Sequence, residues 1–213
     1  MSQVKALSLY SAPAAAVLTT AEAKAFLRVD TSSDDTLIDS LVAAATQKIE
    51  FYLNRKLITQ TWDLYMDNFP MSNNQEWWDG SRDGHISSII APRNYIDLML
   101  APVSSISHLK TFDNDDASYT MTASQYYVDT IKGFGRLYLR LGQTWPTTVL
   151  RTGNGIQIRM VVGYGSSSAS VPTAIIAAIR EMLVPMYDCR GASEIAMSAV
   201  CKSLLEPYRI MNI

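Results

Sequence analysis

Two changes of hydrophobic period constrain this chain more than any other feature. Between Leu37 and Leu53, apolar residues fall at Leu37, Ile38, Leu41, Val42, Ala45, Ile49, Tyr52 and Leu53. That spacing draws one stripe along a helix of about five turns at 3.6 residues per turn. From Ile58 to Met66 the pattern changes to partial alternation among β-branched and aromatic residues (Ile58, Thr59, Thr61, Trp62, Leu64, Tyr65), which predicts a strand. Further strands are expected at Tyr95–Leu100, Ile106–Phe112, Tyr126–Ile131, Gly135–Leu141 and Ile156–Val162, separated by turn signals at 114–116, 132–133 and 152–155. After the flexible stretch Gly163–Ser168 the helical period returns. Val171-Pro172-Thr173 places a proline near the first turn of a helix whose stripe is Ile175, Ile176, Ile179, Met182, Leu183 and Met186.

Short strands with no helix between them imply antiparallel pairing rather than parallel βαβ units. The expected fold is therefore α+β, with N- and C-terminal helices packed as a small helical bundle and an antiparallel β lobe inserted between them. The boundaries follow: an N-terminal extension over 1–17, a helical domain over 18–57 plus 171–206, an inserted β domain over 58–170 and a C-terminal tail over 207–213. Local chemistry supports the helix starts. Thr19-Thr20-Ala21-Glu22 offers an N-cap with an acid in the first turn, and Leu18 ahead of it can act as a staple. Ser32-Ser33-Asp34-Asp35 offers a second N-cap. Pro185 lies inside the later stripe and should kink or stop that helix. A last helical stretch from about Ser193 to Leu205 should end at Pro207.

Composition excludes several function classes. With 213 residues, 48% hydrophobic and 18% charged, the chain can bury a core. A formal net charge of -2 argues against general nucleic-acid binding, which needs a basic excess. The basic residues Arg82, Arg93, Arg136, Arg140, Arg151 and Arg159 are scattered. The start of the chain reads as no signal peptide, and the apolar runs are too short to span a bilayer. The expectation is a chain soluble and cytosolic at synthesis, with no membrane partner. Cys189 and Cys201 read as small apolar residues in helices rather than a disulfide framework.

Catalytic candidates are thin. His85 and His108 have no second His or Cys at metal-ligand spacing. A Cys189–His108 pair stays open as a minor alternative. Asp30, Asp34 and Asp35 match no calcium loop, and helix capping accounts for the last two. Gly133-Phe134-Gly135 and Gly163-Tyr164-Gly165 are not completed to a dinucleotide fingerprint. Ser2-Gln3-Val4-Lys5 matches SxxK at the terminus, where chance is the better account. No catalytic, cofactor or metal site is expected. Trp77-Trp78 lies in a polar loop, and two readings stand: the indoles fold back on the β lobe, or they form a contact buried on assembly.

Taken in order, these motifs resemble phage head–tail connector proteins. The opening helix, Leu18 to Asp30, is similar to the family's Glu-then-Lys-x-x-Leu-Arg-Val pattern. Asp34–Ile38 and Ile49–Trp62 resemble its acid-rich helix start and its aromatic–x–x–Arg–x–Leu exit into a strand. Leu100–Ile106 is similar to the strand–Pro-Val–strand turn of the long version of the family, and Val171-Pro172 with Ile175–Arg190 to its C-terminal helix. Leu204–Arg209 resembles its ending. Two departures are Pro185, in a helix that the family would run unbroken, and the Trp77-Trp78 loop.

The resemblance implies a structural virion protein and no enzyme. It would be an adaptor ring below the portal, usually of twelve copies, extending the DNA channel and docking a stopper or tail protein. The implied partners are the portal protein, stopper or tail proteins and further copies of itself. Packaged DNA would pass without sequence-specific binding. The implied place is the head–tail interface of the virion, with host cytoplasm during assembly. Candidate partner-binding residues are Trp77, Trp78, Pro207, Tyr208, Arg209, Ile210 and Met211, the last five in an apolar, aromatic tail too short for a core of its own. A head-completion stopper or tail-terminator remains an alternative, as does a small hydrolase or ligand-binding β domain centred on His85 or His108.

Overall fold

The computed structural model describes residues 5–70, 95–131, 133–189 and 196–210. It is an α+β protein whose chain divides into two compact units. The β unit comprises Met1–Tyr10, Thr61–Met99 and Val103–Val161, and the helical unit Ser11–Gln60, Leu100–Pro102 and Val162–Ile213.

In the helical unit, α1 spans Thr20–Leu27 and α2 spans Asp35–Leu53. The first is closed by a capping box: Thr19 Oγ1 accepts from the Glu22 N–H while the Glu22 carboxylate accepts from the Thr19 N–H. Along α2 the buried residues are Ile38, Val42, Ala45, Ile49 and Leu53, the inner part of the expected stripe. Asp34 occupies the N-cap position of α2, but its side chain makes no cap hydrogen bond. Its carboxylate accepts from the Tyr187 hydroxyl at 2.6 Å, and Asp35 pairs with Lys24 at 2.7 Å. Capping as the role of the acids thus needs correction. Tertiary partners took both carboxylates, and proximity to the positive end of the helix dipole is what remains of the sequence argument.

The third helix, α3, spans Thr173–Asp188 and buries Ile175, Ala178, Ile179, Met182 and Leu183. It continues one turn beyond Pro185 rather than stopping there. Pro185 forfeits the hydrogen bond that a residue 185 N–H would give to the carbonyl of Glu181, and the hydrophobic stripe holds the helix past that point. The fourth, α4, spans Ala199–Leu205, with Ser198 accepting from the Cys201 N–H as its cap. Ala196–Ser198 are not helical, so α4 starts later than the sequence suggests, and Ser193–Ile195 lie outside the described residues. A single core joins Val17, Leu18, Ala23 and the α2 stripe to Leu57, Ile58, the α3 stripe, Cys201 and Leu205. Leu100–Pro102 returns briefly to this unit, where the Ala101 carbonyl accepts from Lys56 N–H and the Pro102 carbonyl from Gly163 N–H.

In the β unit, β1 (Lys5–Ser11), β2 (Gln60–Met66), β8 (Ile156–Val162), β4 (Val103–Phe112) and β5 (Ser118–Met121) lie side by side in that order. A second, antiparallel sheet has the order β3 (Tyr95–Asp97), β7 (Arg136–Leu139), β6 (Tyr126–Asp129). Strand β1 lies in the segment read from sequence as an N-terminal extension, and β5 lies between the turn expected at 114–116 and the strand expected from Tyr126. Both are edge strands with little burial, so neither carries a strong apolar alternation. The β core is Leu64, Met66, Ile96, Leu98, Leu109, Met121, Leu137, Ile156, Ile158 and Met160. Gly135 is required there, since a Cβ would meet the Val103 side chain at 2.6 Å.

Candidate functional site

Strand alternation gives the five-stranded sheet one apolar and one polar face. Leu64, Met66, Ile156, Ile158, Met160 and Leu109 point to the core, and Asp63, Tyr65, Gln157, Arg159 and His108 to the other side. On that side Arg159 grips Asp63 with two parallel bonds, Nε to Oδ1 at 2.8 Å and Nη2 to Oδ2 at 2.8 Å. Gln157 Nε2 donates to Asp63 Oδ2 at 2.9 Å and to the Tyr65 hydroxyl at 3.2 Å. The Arg159 guanidinium carbon lies 3.3 Å from the Tyr10 ring centroid, so β1 closes the network at the sheet edge.

Burial opposes the Asp63 charge, but the bonds from Arg159 and Gln157 outweigh it and hold the carboxyl below its ordinary value. The bond to Asp63 raises the pKa of Arg159 further still. His108 is pushed the opposite way, below the usual histidine range, first by burial and then by the Lys110 and Arg159 charges. Its Nε2 is buried without a hydrogen-bond partner among the described residues. Asp63, Arg159, Gln157 and Tyr65 thus form one ion-paired, hydrogen-bonded network on the polar face, with His108 beside it.

Cys189 belongs to the helical unit and His108 to the β unit. Cys201 is buried, its Sγ donates to the Ala178 carbonyl at 3.6 Å, and burial pushes its thiol pKa up. Among the described residues, no three His, Cys, Asp or Glu side chains converge on a metal site. No helix among them is long and apolar enough to cross a membrane.

The C-terminal segment sits on the end of α2. That helix stops at Asn54, in the left-handed region at φ 54 and ψ 37, a conformation that asparagine tolerates better than most residues. The stop exposes groups that the C-terminal segment satisfies. Ile210 N–H donates to the Leu53 carbonyl at 3.0 Å, Asn54 Nδ2 to the Ile210 carbonyl at 2.8 Å and Arg55 Nε to the Tyr208 carbonyl at 2.7 Å. Tyr52 donates to Glu206 at 3.0 Å, a bond that raises the phenol pKa, and Arg209 lies 4.7 Å over the Tyr52 ring. Pro207 and Arg209 are exposed, whereas Tyr208 and Ile210 are half-buried. Of the expected site residues, four therefore come together here, within a 3-10 turn (Glu206–Tyr208) and the two residues after it. Trp77, Trp78, His85 and Met211 lie outside the described residues.

Two features escaped sequence reasoning. One is the Asp63–Arg159 network, whose only trace was an acid and a base at outward positions of two apolar strands. The other is an aromatic ladder on the three-stranded sheet. There Tyr138 lies 5.3 Å from Tyr95 and 5.2 Å from Tyr127, with Arg136 4.8 Å over Tyr95.

Comparison with known proteins places these surfaces in context. Residues 18–77 match the family described as phage gp6-like head-tail connector proteins. The chain is similar in fold to a chain of the neck of an empty gene transfer agent (GTA) particle computed with C6 symmetry. The TM-score is 0.75 at 20% identity, over 98% of this chain and 97% of that one. A chain in the virion of the native GTA particle gives TM-score 0.73 at 20% identity, over 97% and 96%. One in the native neck computed with C12 symmetry gives 0.67 at 20% identity, over 96% and 97%. No curated protein matches the chain in sequence.

Proposed function

We propose that this chain, which carries a gp6-like head–tail connector segment at 18–77, is an adaptor subunit that forms a ring below the portal of a tailed particle. The observation that carries the proposal is a coincidence of two independent likenesses. The family segment covers α1, α2 and β2, while the fold likeness to neck chains extends over 98% of the chain. A ring extends the DNA channel and docks a stopper or tail protein, with the virion head–tail interface as its place and host cytoplasm during assembly. Twelve copies are in keeping with the C12 symmetry of one similar neck. It needs no catalytic site, because heterologous contacts between identical subunits suffice to close it. A formal net charge of -2 suits a conduit, since a basic lumen would hold phosphates as DNA slides past.

Within this ring the segment Pro207–Ile213 reaches the portal or tail protein. Its support is the docking of Tyr208 and Ile210 on α2, which leaves Pro207 and Arg209 presented on a fixed base. The test of the whole reading mixes the purified chain with the portal ring of the same genome and images the product by electron microscopy. A rotationally symmetric collar at one end of the portal is expected. Absence of a collar at every salt concentration tried would overturn the adaptor role in favour of a stopper or tail-terminator.

A further inference from the structure

The two ends of the five-stranded sheet differ in a way that a ring could use. Among the described residues, nothing pairs with the outer edge of β1 or of β5, so each presents unpaired backbone donors and acceptors. Beside β5 lies a groove of about 290 Å³, lined by Tyr119, Met121, Gln125, Trp145 and Thr148 among others. A second groove, lined by Thr111, Asp113, Ser118 and Leu150, shares Tyr119 and Thr148 with it. Trp145 stacks on Phe69 at 4.7 Å, and its buried indole N–H has no acceptor among the described residues. A buried donor left unpaired is unfavourable. Tyr119, at 52% exposure, stands at the junction of the two grooves.

The face on which these grooves open restricts what an added strand could place there. Thr111 pairs with Tyr119 and Leu109 with Met121, so both grooves lie on the apolar face of the sheet. At the far edge Tyr10 covers Arg159 on the polar face, and alternation therefore places Leu9 on the apolar face, where it remains 46% exposed. Strand β1 runs over seven residues with no proline and a single charge, at Lys5. It is an edge without the usual protection against pairing. In a head-to-tail ring, one copy's β1 would add to the next copy's β5 with the faces in register, bringing Leu9 over the Tyr119 groove. Backbone bonds would supply affinity and the groove would select the side chain.

We propose that β1 of one copy docks as an added strand on β5 of its neighbour, with Leu9 seated over the groove of Tyr119, Met121 and Trp145. This rests on the ring reading above and specifies its lateral contact. The experiment uses the full chain with Ser8→Cys and Thr120→Cys, in a Cys189→Ser background, assembled on the portal ring and treated with a short bis-maleimide. Covalent multimers from the double variant, and none from either single one, are the expected result. A symmetric collar without cross-linked species would overturn the strand docking and leave the adaptor reading standing. Failure of the parent chain to form a collar would take down both. A second variant guards against local misfolding: Thr148→Arg, at an exposed position common to both grooves, should keep the parent's melting temperature and lower collar formation at least tenfold. Unchanged collar formation by that variant would equally overturn the docking.

Discussion

At the scale of single residues, the polar face of the sheet concentrates the energetics. The Asp63 side chain keeps 6% of its exposure and that of Arg159 20%, so removing one partner leaves the other charge desolvated. Asp63→Asn should lower unfolding stability by about 3 kcal/mol, read from urea titration, because a nearly buried pair broken on one side typically costs about that much. The double change Asp63→Leu with Arg159→Met should cost far less. Equal losses in both variants would mean that the pair contributes through packing and not through charge. His108 makes a pH prediction. Its folded pKa lies below the ordinary value, so the unfolded chain binds more protons in the window between the two. The stabilisation is complete above about pH 6.5, the unfolded value, and declines as pH falls toward the folded one. His108→Gln should flatten the stability profile between about pH 7 and pH 5; an unchanged slope would exclude this imidazole as its source.

At the scale of elements, the end of α2 and the C-terminal segment form one device. Left-handed Asn54 turns the chain, and the carbonyls and side chains around the turn are taken up by residues 206–210. Deleting Pro207–Ile213 removes, among the described residues, three hydrogen bonds between that segment and residues 53–55, at about 1 kcal/mol net each. A stability loss of about 2–3 kcal/mol is expected, so weaker portal attachment by that variant would be ambiguous. Arg209→Ala separates the two effects, since its side chain is exposed and rests on the outer side of the half-buried Tyr52 ring. We expect a melting temperature within a degree or two of the parent and at least tenfold weaker portal binding. Full binding by Arg209→Ala would remove the partner role assigned to this segment.

At the scale of the whole molecule, the two units have separate hydrophobic cores, one of helices and one of sheets. A ring subunit needs surfaces for its neighbours on both sides and for partners along the axis. The described residues offer open sheet edges, an aromatic ladder and a docked C-terminal segment, each built from a different stretch of chain. Charge is almost balanced at -2 overall. The collar should therefore depend more on backbone pairing and apolar contact than on long-range attraction, which salt screens. The portal-mixing experiment tests the molecule at this scale, and the cross-link tests one lateral contact within it.

What the amino-acid order determined alone is the alternation of periods. The α2 stripe, the threonine N-cap of α1 with Glu22 in its first turn and the strand at Ile156–Val162 all lie where spacing and local chemistry put them. So does the connector-like segment, because its motifs are local in sequence. Of the two outcomes expected at Pro185, a kink or a stop, the stop does not occur, since packing of the α3 stripe outweighed one lost hydrogen bond. Strands β1 and β5 were missed because an edge strand is stabilised by its neighbour's backbone and not by its own side chains. The Asp63–Arg159 grip spans 96 residues and the Asn54–Ile210 contact 156. Pairings so distant exist only once the sheet order and the helix ends are set, and the candidate surfaces are made of such pairings. Tertiary structure decided them, because sequence encodes which face a residue takes and not which residue will meet it there.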